Sequence, residues 1–121
     1  MTPGTIRIKD TQVLHSLLVR EFDFTLTVIV IEIATEFGIV ITEGSRPARH
    51  DGDLHATHPV MAVDARSWCY PKETQQRILD YVNSRWLYDP KRPYKKILVL
   101  HKTKHGVYHF HIQTHPGTIR K

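Results

Sequence analysis

Nine of the 121 residues are histidine and one, Cys69, is cysteine. A metal bound by this chain would be held by imidazole and carboxylate, not by a thiolate cluster. The densest group is His109-Phe110-His111-Ile112-Gln113. Successive side chains of a β-strand point to opposite faces, so His109, His111 and Gln113 share one face and Tyr108, Phe110 and Ile112 the other. The apolar set suits a core. The polar set puts two imidazoles and an amide in one row, where both imidazoles can share a metal, or one can bind it while the other moves protons. The plainer reading of that row is a solvated strand face.

A second group lies upstream, where His55-Ala56-Thr57-His58-Pro59 leads into Met61-Ala62-Val63-Asp64. Asp64 stands in an apolar stretch, where a carboxylate is costly to bury unless it is paired or bound to a cation. An aspartate capping a loop is the alternative. An imidazole on the preceding loop and a carboxylate on the strand can converge on one ion. Together the two segments offer His, Asp and His. Three protein ligands with an open position form the pattern of a catalytic zinc site. Zinc lowers the pKa of bound water and polarises a carbonyl, and a neighbouring base such as His109 would then move the proton.

These residues need elements to hold them. Residues 1–10 form an irregular or strand-like arm. Residues 11–21 carry Val13, Leu14, Leu17 and Leu18 on one helical face, with Asp10 as N-cap. In 26–37 the β-branched run Val28-Ile29-Val30-Ile31 favours a strand, but Leu26, Ile29, Val30, Ile33, Ala34 and Phe37 lie on one helical stripe, and Gly38 stands at the C-cap; a buried helix is expected. Strands follow at 39–42 and 61–66, separated by a loop at 43–58, and loops this long in compact domains are usually functional. Pro71 opens a helix to about Trp86, with Ile78, Tyr81, Val82 and Trp86 as its apolar face. A loop at 88–93, strands at 97–100 and 107–113 around a turn at 102–106, and a tail at 114–121 complete the chain. The order α, α, β, β, α, β, β predicts a single α+β domain over 1–121, with helices packed on a mostly antiparallel sheet.

The order Ile41-Thr42-Glu43-Gly44-Ser45-Arg46, then His55, then Ala62-Val63-Asp64, then His109-Phe110-His111 resembles the zinc peptidases of the bacterial cell wall. This superfamily of D-Ala-D-Ala carboxypeptidases and L-alanyl-D-glutamate endopeptidases shares its fold with the Hedgehog signalling domain. Short phage and prophage members are the most similar, through His55–Pro59 (His-x-Thr-x-Pro), Trp86–Pro90 (Trp-x-Tyr-Asp-Pro) and His109–Gln113 (His-x-His-x-Gln). The likeness spans roughly residues 38–116. It implies a Hedgehog/DD-peptidase-like fold, Zn2+ held by His55, Asp64 and His111, His109 as the acid–base residue, and Arg46 on a substrate carbonyl or carboxylate. Gln113, on the same strand face, would serve the substrate side of the site or orient a ligand. Two departures stand out. His55 precedes Asp64 by nine residues and His58 by six, either side of the usual spacing, so His58 rivals His55. Tyr108 stands where many carboxypeptidase members have a glutamate base.

The implied activity is hydrolysis of amide bonds in peptidoglycan stem peptides or cross-links, endolysin-like or carboxypeptidase-like. Lys and Arg total 17 against 12 Asp and Glu, a balance that suits a polyanion such as nucleic acid or cell wall. No RNA-recognition or zinc-finger signature supports nucleic acid. No stretch is long and apolar enough to span a membrane, and the first ten residues lack the apolar segment of a secretory signal. Synthesis in the cytoplasm is expected, with action at the wall after phage-type release. Two other readings remain. His55-Ala56-Thr57 and His101-Lys102-Thr103 are similar to the paired His-x-Thr elements of metal-independent 2H phosphoesterases acting on RNA ends. A catalytically inactive wall-binding or nucleic-acid-binding relative is the other.

Overall fold

The computed structural model describes all residues 1–121. Its elements are β1 (Ile6–Ile8), α1 (Thr11–Leu18), α2 (Phe24–Phe37), β2 (Ile39–Glu43), a single 3-10 turn (Leu54–Ala56), β3 (Ala62–Arg66), α3 (Lys72–Arg85), β4 (Trp86–Leu87), β5 (Leu98–Lys102), β6 (Tyr108–Gln113) and β7 (Ile119–Arg120). Helical spacing prevails over β-branched propensity in α2, because Leu26, Ile29, Val30, Ile33, Ala34 and Phe37 are all buried on one stripe. The Asp23 carboxylate accepts the Leu26 N–H at 3.0 Å and starts the helix. Gly38 ends it at φ 74°, where a side chain would collide with the Thr2 carbonyl. Asp10 caps α1 by accepting the Val13 N–H at 2.9 Å. The helix stops at Leu18 rather than running to Glu21, and Arg20 reaches back to the Ala56 carbonyl at 3.1 Å.

The main sheet has the order β1-β2-β3-β6-β5. Only β1 and β2 run parallel; every other neighbouring pair is antiparallel. Core and site separate by alternation along the central strands. Val63 and Ala65 of β3, with Phe110 and Ile112 of β6, join the buried cluster formed with α2 and α3. Asp64, His109 and His111 leave the sheet on the other side. Register places Asp64 directly across from His111, and His101 of β5 across from His109. A bulge between Ile41 and Glu43 brings Glu43 opposite Asp64, and bulges commonly re-aim side chains beside functional sites.

This is the expected α+β architecture, with three helices and a mostly antiparallel five-stranded sheet. Three short strands add to the expected order. The tail is the main correction. Thr114 is fully buried, its hydroxyl donates to Asp23 Oδ2 at 2.9 Å, and β7 pairs with β4 in a two-stranded ribbon. Trp86 accordingly lies in β4 rather than in α3. Pro71 occupies the N-cap of α3 rather than its first turn. No helix is long and apolar enough to cross a membrane.

Candidate metal centre

Asp64 is 6% exposed and receives three imidazoles. His55 Nε2 lies 3.3 Å from its Oδ1, His111 Nδ1 lies 3.0 Å from the same oxygen, and His109 Nε2 lies 3.7 Å from Oδ2. One ligand atom from each of His55, Asp64 and His111 falls within 4.8 Å of the others, so these three residues form a cluster able to hold a metal ion. His55, not His58, enters it; His58 is exposed.

The hydrogen bonds behind the imidazoles fix their tautomers. His55 Nδ1 lies 2.8 Å from the Gly44 carbonyl. A carbonyl only accepts, so Nδ1 carries the proton and neutral His55 turns a bare Nε2 towards Asp64. On the other side the Gln113 amide donates to the Lys96 carbonyl at 2.8 Å, which turns its oxygen to His111 Nε2 at 3.2 Å. His111 Nε2 therefore donates, and neutral His111 turns a bare Nδ1 towards Asp64. Two lone pairs then face one carboxylate oxygen. Such a set needs a cation between its members, either a proton on an imidazole or a metal ion. The donor set thus fits a divalent metal with nitrogen and oxygen ligands, zinc among them.

Burial works against charge on His55, but the Asp64 hydrogen bond and charge outweigh it and raise the His55 pKa. Burial also opposes the Asp64 charge, yet hydrogen bonding to His111 and His55, formed when an imidazole carries the bridging proton, holds its carboxyl well below the usual carboxylate range. His109 is pushed the other way. Burial lowers its pKa and Asp64 only partly compensates, with His101 and His111 adding to the decrease.

The loop before β3 is braced by a residue that sequence reasoning missed. Asp53, 4% exposed, takes the Arg46 guanidinium on both oxygens at 3.2–3.3 Å, and the backbone N–H groups of Arg49 and His55 at 3.1 Å. Its signal was an aspartate just ahead of the histidine, in N-cap position to the 3-10 turn. Gly44 is needed for close approach, since a side chain there would lie 2.7 Å from Ser16 Oγ and 2.8 Å from Leu17 Cδ2. Arg46 does line the cleft, but its guanidinium is largely engaged by Glu43 at 2.9 Å and by Asp53, with Asp64 Oδ2 at 4.0 Å. Both Glu43 oxygens are in turn occupied, one by Arg46 and one by Arg49 at 3.3 Å.

These residues sit in an open cleft of about 1320 Å³ with only three apolar lining residues. His101 lines it too, edge-on to His109 with ring centroids 5.5 Å apart. Of the paired His-x-Thr elements, both histidines reach this cleft, but both threonine hydroxyls serve turns. Thr57 donates to the Leu54 carbonyl, and Thr103 accepts from the Val107 N–H. Tyr70 belongs to the core, with its hydroxyl on the Gly38 carbonyl, and Arg66 stacks on the exposed Trp68 away from the cleft. Comparison with protein-family models, with curated proteins and with solved structures finds no match to this chain.

Proposed function

We propose that this chain is a zinc-dependent peptidase that hydrolyses amide bonds in peptidoglycan stem peptides or cross-links. The observation that carries the reading is the convergence of two tautomer-fixed imidazole lone pairs on one buried carboxylate oxygen, with a third imidazole alongside. His55, Asp64 and His111 would hold the ion. A zinc ion there supplies Lewis acidity towards the scissile carbonyl and a water of lowered pKa. His109 takes the proton from the attacking water and returns one to the departing amine. It is half-buried, and Asp64 Oδ2 at 3.7 Å keeps its ring in place. Gln113 holds His111 in the tautomer that ligation needs, and Arg46 fixes Glu43 and Asp53 around the site while leaving part of its fork facing the cleft. The order of motifs shared with short phage-type wall peptidases supports the choice of substrate, and action at the wall would follow release of the chain in that manner.

The test is elemental analysis of purified protein together with digestion of purified muropeptides. The parent should carry about one zinc per chain and cleave. His111→Ala should lose the metal, while His109→Ala should keep the metal and lose cleavage by about a hundredfold or more. Absence of bound zinc, with none taken up from micromolar solution, overturns the peptidase. Metal release by His109→Ala overturns the division of roles.

A further inference from the structure

Seven cations line the cleft: Lys9, Lys102 and Lys104, which form no ion pair, and two further groups. Arg46 and Arg49 are matched by Glu43 and Asp53. Arg92 and Lys95 are not. Arg92 gives only its Nε–H to Asp89, at 3.1 Å, and no carboxylate meets its two Nη groups. Lys95 has no acidic partner within 4.0 Å. Both cations lie over the ring of buried Tyr88, at 5.3 Å for the Arg92 guanidinium and 5.0 Å for Lys95 Nζ. His115 packs against the same ring with centroids 5.6 Å apart.

The group is held from below as a rigid platform. Asp89, 7% exposed, takes the Lys91 backbone N–H at 3.0 Å as well as Arg92. His115 Nδ1 accepts the Gly117 N–H at 2.9 Å, which leaves its Nε2 as a donor. Thr118 ties the tail to the loop by donating to the Tyr88 carbonyl at 2.8 Å. The platform is also coupled to the metal centre, because the Lys96 carbonyl, next to Lys95, receives the Gln113 amide that orients His111. The free Nη groups of Arg92, whose Nε–H is held by Asp89, the unpaired Lys95 ammonium and an imidazole donor, fixed in place beside a ligand set in one cleft, are a receptor for an oxyanion.

We infer that Arg92, Lys95 and His115 form a subsite for a carboxylate of the peptide substrate, so that the enzyme selects stem peptides bearing a free acidic group near the scissile bond. Its identity as a substrate subsite rests on the peptidase reading above; its affinity for carboxylate does not. Specificity arises because a guanidinium with both Nη groups free and an unpaired ammonium, held in position, gain more from a carboxylate than from its amide.

Two measurements on zinc-loaded protein test it, with Arg92→Gln/Lys95→Gln as the comparison; both replacements leave Asp89 its backbone donor. In the first, glutarate is titrated while the ring resonances of Tyr88 and His115 are followed, with inorganic phosphate as a second probe. Glutarate should shift both rings saturably, with at least about tenfold weaker affinity in the double variant. Rings that do not respond, that respond alike in the variant, or that respond to phosphate but not glutarate overturn the subsite. In the second, a stem peptide with a free side carboxylate is compared with its amide. The acid should be cleaved with about tenfold higher kcat/KM, and the ratio should fall towards one in the double variant. Equal cleavage of both peptides by the parent overturns the subsite and leaves the peptidase standing. Glutarate binding as expected, with neither peptide cleaved, overturns the peptidase and leaves the carboxylate subsite standing.

Discussion

Asp53 and Asp64 are both buried, both line the same cleft and both approach Arg46, yet their other partners differ in kind. Every hydrogen bond to Asp53 comes from a donor, the Arg46 fork and the N–H groups of Arg49 and His55, while the exposed His50 ring stands off at 3.9 Å. Its charge is complete without any further ion, and what it does is hold a loop. Asp64 meets imidazole nitrogens whose protons are committed elsewhere, to Gly44 and Gln113. Its charge is completed only by a cation placed among those nitrogens. A buried carboxylate ringed by donors thus serves as a structural element, and one faced by lone pairs belongs to a cluster able to hold an ion, although both have lowered pKa values.

The sharpest way to break this contrast is to remove each carboxylate in turn. Asp64→Ala takes away the only negative charge among the three ligands. Zinc affinity should fall by about a thousandfold or more, equivalent to about 4 kcal/mol. At a pH above the raised His55 pKa, where that imidazole has lost its bridging proton, the metal-free variant should stay within about 1 kcal/mol of the parent, since repulsion between the carboxylate and the facing lone pairs is relieved. Chelator competition and urea unfolding measure the two quantities. A variant that still binds zinc tightly would end the assignment of Asp64 as a ligand.

Asp53→Ala should reverse the pattern. It strands the Arg46 guanidinium, 14% exposed in its side chain, and two backbone donors. Metal-free stability should fall by about 3 kcal/mol in urea unfolding, as when one member of a buried ion pair is removed. Zinc should still bind, more weakly, because His55 loses the contact that positions its backbone. Equal stability losses in the two variants would erase the distinction between them.

How far the sequence showed this site depends on where each signal resides. The row of His109, His111 and Gln113 was legible because strand alternation is local, and the same alternation assigned Phe110 and Ile112 to the core. The choice of His55 over His58 was legible only through the resemblance, not through local spacing. It depends on the Gly44 carbonyl, eleven residues from His55 in the chain, which is within reach only because α1 packs closely against the glycine. Asp53 was missed for a similar reason: its partners come from both ends of the loop. The pairing of the tail was not legible because β4 and β7 have two residues each, too few for any periodicity to register. Nothing in the local sequence gathers Arg92 and Lys95 over Tyr88; only the fold brings them together.

The smallest expected effect, on the order of 1 kcal/mol, comes from pH, and it separates the imidazoles from one another. His55 has a raised pKa in the metal-free fold, so its contribution is fully present below its unfolded value of 6.5 and is lost as pH rises through the higher folded value. His109 has a lowered pKa, so protonation favours the unfolded chain, and its contribution is lost as pH falls from 6.5 through the lower folded value. Metal-free stability should therefore peak near pH 6.5 and decline on both sides, while Asp64, with its strongly lowered pKa, adds a further loss only in strong acid. Zinc reverses the alkaline side. Binding requires neutral His55 and His111, so protons compete with the metal and the zinc-bound protein should gain stability as pH rises through the same interval. Thermal unfolding with chelator and with excess zinc, from about pH 5 to 8.5, gives both curves. His109→Asn should flatten the acid side of the metal-free curve and leave its alkaline side intact. A metal-free curve that keeps rising above pH 6.5 would show that no proton bridges His55 and Asp64 when the metal is absent, and the two aspartates would then no longer differ in what completes their charge.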